Sequence, residues 1–218
     1  MKPWSRPEGV KDKVPWNGKI ISIQPRIRLT RSYDQRSHNY LGFTLTIEGT
    51  ADGEGRAFTV GIGKEAQAKH QFKAGDVASG KSEQIQDPKA EVSEYYKTSE
   101  LKILERGAQQ EEPGPPWHGI PPALEVYRER GHRRLDPRTY ESKCGTCIWG
   151  CRMPVEMIID QWNPRKKKYR VESFCYGPKS CVFYKAGPTR KVPGRAGMVW
   201  EEEDWVDEDE VSHREIDE

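Results

Sequence analysis

The chain has 218 residues, enough for one or two domains, and with 34% hydrophobic and 32% charged residues it has no material for a large core. The net charge of +2 conceals a split: residues 201–218 carry eleven acids against the single base Arg214, which leaves +12 on residues 1–200. No run of about 18 apolar residues is present to span a membrane, and Met-Lys-Pro-Trp-Ser-Arg-Pro lacks the apolar stretch of a secretory signal, so no membrane partner and a cytoplasmic location are expected.

Residues 1–16 hold Pro3, Pro7 and Pro15 with little hydrophobic pattern and read as a flexible leader. Alternation then begins. Over Lys19–Arg31, Ile21, Ile23, Ile27 and Leu29 face inward, while Ser22, Gln24, Arg26, Arg28 and Thr30 face solvent. Pro25 marks an edge or a bulge within that strand. Tyr40–Glu48 alternates with Leu41, Phe43, Leu45 and Ile47 inward, and after a glycine-rich turn Ala57–Ile62 does so with Phe58, Val60 and Ile62. Lys64–Gln71 has helix-forming composition. Val77 belongs to a short fourth strand and Ser99–Glu105 to a fifth.

Three alternating strands, a helix and two further strands resemble in order the OB-fold, a five-stranded Greek-key barrel. The segment Phe72–Gly80, with its Gly75-Asp76 turn, is similar to the stretch that enters the fourth strand of such barrels. The resemblance covers residues 17–106. It implies a sheet face on which single strands stack against aromatics while bases of the protein track phosphates, and Arg26, Arg28, Arg31 and Tyr40 are the candidates there.

Residues 107–123 are a proline-rich linker by composition, residues 124–197 a basic module, and residues 198–218 an acidic tail. A short helix is expected over Leu124–Gly131. All five cysteines lie in the basic module: Cys144, Cys147, Cys151, Cys175 and Cys181. Between them, Pro154–Phe174 reads as a β-hairpin with a basic tip. Thiolates on two tight turns joined by a hairpin form a four-sulfur metal site, and in a reducing compartment metal ligation outranks disulfides. The plan resembles a zinc ribbon, with Cys144-Gly145-Thr146-Cys147 similar to that family's first knuckle; the Cys175–Cys181 turn is wider than the family's usual spacing. The ligand set is Cys144, Cys147, Cys175 and Cys181, with Cys151 spare or replacing one of them. Zn2+ is the expected ion, a structural one because a closed four-thiolate site has no open position; a 4Fe-4S cluster is the alternative.

Two further features bear on function. Gly75–Ser82 matches the phosphate-binding loop G-x4-G-K-S, but no apolar strand precedes it and Pro88 interrupts any helix after it, so it reads as a coincidence within the fourth strand. The hairpin tip gathers Arg165, Lys166, Lys167, Lys168, Tyr169 and Arg170, and Arg190 and Lys191 follow the last cysteine. Serines lack a histidine partner and the five histidines are scattered, so no enzyme constellation emerges. The expectation is a mainly β, non-enzymatic nucleic-acid-binding protein: an OB-fold barrel followed by a metal-stapled hairpin, recognising RNA or single-stranded DNA. Its alternatives are an iron–sulfur redox or sensor protein and a protein–protein adaptor docking through the acidic tail, which otherwise folds back on the basic body.

Overall fold

A computed structural model describes residues 12–32, 35–108, 114–202 and 205–216. The chain is mainly β. Strands β1 (Val14–Arg31), β2 (Arg36–Ala51), β3 (Glu54–Ile62), β4 (Val77–Gln84) and β5 (Tyr95–Glu105) pair in a ring: β1 with β2, β2 with β3, β3 with β5 in parallel, β5 with β4, and β4 back to β1. Helix α1 (Lys64–His70) lies between β3 and β4. Ile20, Ile23, Ile27, Leu29, Phe43, Leu45, Ile47, Phe58, Val60, Ile62 and Phe72 fill the ring.

Long β1 bends at two bulges, and these reset the alternation. The register shifts between Ile20 and Ser22, so Ile20 rather than the expected Ile21 enters the core. On β2 the extra residue is Leu41, which is half-buried instead of inward. The leader is also shorter than its prolines suggest: β1 starts at Val14, and buried Trp16 donates from Nε1 to Ser82 Oγ at 2.8 Å. Residues 1–11 of that leader lie outside the described residues. The Gly75–Ser82 match lies in a turn and β4, followed by more strand and not by a helix.

The second half extends the same sheet. After α2 (Leu124–Arg130) and the two-residue β6 (Arg133–Arg134), α3 (Pro137–Thr139) runs into a π-helical turn at Tyr140–Cys144. Strands β7 (Gly150–Ile158) and β8 (Lys167–Cys175) form the expected hairpin. Its β7 pairs in parallel with the end of β1, Leu29 opposite Val155 and Arg31 opposite Met157. Met153, Val155, Met157, Phe174 and Tyr176 join the same buried cluster as the barrel strands. Ser22 and Gln24, expected in solvent, are buried, Gln24 beneath the cysteine turn and Gly150 at the start of β7.

The acidic end of the chain is docked on the body. Strands β9 (Arg190–Pro193) and β10 (Val199–Glu202) pair antiparallel, and α4 (Trp205–Glu210) follows. Val211 and Arg214 are buried, Arg214 Nη1 donating to the carbonyls of Tyr176 (3.2 Å) and Gly177 (3.1 Å). Among the described residues, no helix is long and apolar enough to cross a membrane.

Candidate metal centre and basic surfaces

The cysteine turn is anchored from the barrel side. Asp136 caps α3 by accepting from Thr139 N at 2.9 Å, and the π-turn then carries Tyr140 and Cys144 toward β1. Tyr140 donates its hydroxyl to Gln24 Oε1, and Gln24 Nε2 donates to the carbonyls of both Cys144 and Cys147 at 2.9 Å. All three groups are buried, so these bonds satisfy atoms that water cannot reach. Gly150 opens β7 directly behind the turn. A Cβ there would stand 2.5 Å from Cys144 O and 2.7 Å from Gln24 Nε2, so the close approach needs glycine.

Cys175 ends β8, paired with Gly150 on one side and Arg133 on the other. Cys181 closes the turn after it, its amide donating to Pro178 O at 3.2 Å. Cys144, Cys147, Cys175 and Cys181 line one small cavity of about 10 Å³, walled by Trp117, Trp149 and Phe183. Burial pushes the Cys144 thiol up to about 12, and the neighbouring Cys175, Cys147 and Cys181 add to the rise. Cys147 is raised to about 11 by burial, opposed by amide N–H groups of Trp149, Trp117 and Gly150. Cys175 is likewise raised by burial and held back by the Gly177 N–H, 3.4 Å from its sulfur, and by Arg133. Amides and a guanidinium aimed at sulfur favour thiolates, the form that binds metal. Among the described residues, no three His, Cys, Asp or Glu side chains already stand in ligating positions, so the four sulfurs share a cavity without converging on one point. Contacts of about 2.3 Å to a single ion would ask the thiols to turn inward.

Cys151 lies elsewhere. It is fully buried in the main core, where its thiol donates to Pro25 O at 3.2 Å. Burial raises it as well, with no contribution from the other cysteines. Within the segment read from composition as linker, Pro115, Pro116 and Trp117 line the cavity, and Trp117 O accepts from Ile148 N at 2.9 Å. Residues 109–113 of that linker lie outside the described residues.

The expected basic surface separates into two sets. Arg26 is turned onto Glu91 (3.4 Å) and Leu41 O (3.3 Å); Arg28 and Tyr40 are half-buried, with the Arg128 guanidinium 4.9 Å from the Tyr40 ring centroid. Arg31 is buried. Arg190 is buried between Glu172 (2.8 Å) and the Phe174 ring (4.3 Å), and Arg170 donates to Glu172 and to Lys191 O. Arg31 and Arg190 are therefore withdrawn from solvent, Arg26 and Arg170 are engaged with carboxylates, and Arg28 and Tyr40 keep part of their surface. The segment between β4 and β5 also covers the barrel face: Thr59 Oγ1 donates to Val92 O at 3.3 Å, and Thr44 Oγ1 and Ser93 Oγ lie 3.0 Å apart. The groove that remains there has a volume of about 540 Å³ and presents Glu141 and Arg152 beside Glu91 and Glu94, themselves paired with Arg26 and Arg56, so it offers a polyanion no surplus of positive charge.

The other set is in solvent. Arg165, Lys166, Lys167 and Lys168 are exposed at the β7–β8 tip, as is Lys191, which pairs with Glu201 at 3.1 Å. Lys167 reaches Glu156 at 2.7 Å and half-buried Tyr169 bonds the same carboxylate at 3.1 Å. Sequence reasoning missed Gln24 and Tyr140, which are buried by contacts across more than 100 residues, and Trp117, which reaches the cysteines from a segment that reads as linker. It also missed Trp162, which stands beside the basic run and is 86% exposed. Comparisons of the chain with family models, curated proteins and solved structures find no match.

Proposed function

We propose that this protein binds single-stranded nucleic acid, RNA or DNA, without catalysis, through the β7–β8 hairpin, and that a structural zinc ion fixes the base of that hairpin. The observation that carries the reading is one element with two ends: a base flanked by four cysteines around a single cavity, and a tip presenting Arg165, Lys166, Lys167 and Lys168 to solvent. A rigid basic protrusion meets phosphates at little ordering cost. The strand order of β1–β5, with its parallel β3–β5 contact and the helix between β3 and β4, supports reading the first half as an OB-fold barrel. The hairpin between two cysteine turns supports reading the second as zinc-ribbon-like. In this protein the barrel acts as the mount, since its own face is covered.

The donor set fits zinc. Cys144, Cys147, Cys175 and Cys181 would hold it as thiolates, assisted by the N–H groups of Trp149 and Gly177. Zinc there supplies cross-linking between turns and no reactive position. A cubane of four irons and four sulfides needs far more room than a cavity that holds about one water-sized sphere, which favours a single ion.

The test is binding of a labelled oligonucleotide across a salt series. Four phosphate contacts from the tip give a slope of log K against log salt of roughly −3 for a single strand. Replacing Arg165, Lys166, Lys167 and Lys168 together by alanine should abolish most of that slope. Wild-type protein that ignores single strands at low salt would overturn the reading.

A further inference from the structure

The hairpin tip carries a feature that phosphate binding does not require. Trp162 has the highest exposure of any large hydrophobic side chain among the described residues, 86%. Tryptophan is normally a well-buried residue, and a charged turn gains no solubility from it. The backbone around it is nevertheless fixed. Trp162 N donates to Asp160 Oδ1 at 3.1 Å, Asn163 N to Asp160 O at 3.0 Å, and Lys166 N to Asn163 O at 2.9 Å. The final ladder pair of the hairpin is Ile158 with Lys167, so the ring projects from a short, hydrogen-bonded loop beyond the end of the sheet. Four bases follow it within six positions.

We infer that Trp162 is a stacking platform for an unpaired base, so that the hairpin tip selects single-stranded over duplex nucleic acid. The inference rests on the nucleic-acid reading above and adds the specificity to it. Lysines and arginines bind the phosphates of single strands and duplexes alike. An indole face has a partner only where a base is unstacked, because a duplex buries its base faces. A held loop that presents an aromatic face beside cations supplies both terms from one position.

The experiment uses the full chain with three probes: a fluorescein-labelled thymidine 20-mer, a labelled duplex of equal length, and vesicles of phosphatidylserine and phosphatidylcholine. Trp162→Ala should weaken binding of the 20-mer about 5- to 150-fold, the range of one base–aromatic stack. Duplex binding and the salt slope should stay unchanged, and Trp162→Phe should restore most of the loss. Because the side chain packs on little, thermal unfolding of both variants should coincide with wild type. If wild type binds the 20-mer and Trp162→Ala binds it equally well, or loses duplex affinity to the same degree, the stacking role is overturned while nucleic-acid binding stands. If wild type binds vesicles and neither nucleic acid, both readings fail and the tip is a membrane contact.

Discussion

Gln24 and Cys144, 120 positions apart in the chain, are joined by a buried hydrogen bond of 2.9 Å from the Gln24 side-chain amide to the Cys144 carbonyl. The same amide nitrogen serves Cys147, and the other end of the side chain accepts from Tyr140. One glutamine on β1 therefore sets the position of the first cysteine turn against the barrel. Gln24→Ala takes one donor from each carbonyl, which keep the amides of Cys147 (3.1 Å) and Gly150 (3.0 Å), and strips the buried Tyr140 hydroxyl of its acceptor, a loss of about 1–3 kcal/mol for that unsatisfied group. Chemical denaturation should show a lower midpoint with an unchanged slope, and the affinity for zinc should fall with it.

Gln24 also shows where sequence reasoning stops. The alternation along β1 is legible in residues 19–31, yet which polar residues stay in solvent depends on whether another element covers them. Here β7 and the cysteine turn do, and nothing near Gln24 in sequence announces it. The bulge at Ile21 is illegible, since no glycine or proline marks it, whereas the one at Leu41 lies opposite Arg26 and Ile27, just after the Pro25 that signals an edge or a bulge, and beside Gly42 at φ +135°. The strand–helix order of the first 105 residues and the β7–β8 hairpin are legible because each is encoded by local periodicity. The charge of the tail and its folding back on the body are legible too, but its anchors are not: Val211 and Arg214 interrupt a run of acids and are buried.

The four cysteines around the cavity and the one outside it should separate in a metal assay. Cys175→Ser removes a sulfur from the cavity, and the purified protein should hold far less zinc than wild type. Cys151→Ala deletes only a core thiol bonded to Pro25 O and should keep full zinc content while losing modest stability. Elemental analysis of both variants, with an absorbance scan of wild type near 400 nm for iron–sulfur colour, checks ligand set and metal together. Full zinc in Cys175→Ser would exclude the site.

Arg214 links the acidic end of the chain to the second cysteine turn. Its guanidinium donates to Tyr176 O and Gly177 O, immediately after Cys175, and Lys179 donates to Arg214 O. Arg214→Ala strips Gly177 O of its charged donor while Tyr176 O keeps Arg130 Nε at 2.8 Å, which costs about 1.5–3 kcal/mol. A lower unfolding temperature together with faster zinc release to a chelator is the expected result. Unchanged release with lowered stability would mean that the tail braces the body but not the cysteine turn.

Stability should also fall on the acid side of neutrality, through His132. Its ring is buried against His38 (centroids 4.7 Å) and Phe174 (4.6 Å), and its pKa is held well below the usual value by burial, then by His38, Arg36, Arg190 and Arg31. Glu210 of α4 lies 3.6 Å away, bonded to Arg36 at 2.8 Å, so at neutral pH its contact with a neutral imidazole is not an ion pair. The unfolded chain takes up a proton near pH 6.5 while the folded chain resists it. The unfolded state therefore binds more protons as pH falls, and stability drops by up to about 1.4 kcal/mol per pH unit below 6.5 until the folded pKa is reached. Above 6.5 both states are neutral and the contribution is constant. Denaturation midpoints at pH 5.0, 6.0 and 7.5 read the slope, and His132→Gln should flatten it between the first two. An equal slope in that variant would transfer the acid sensitivity to other groups.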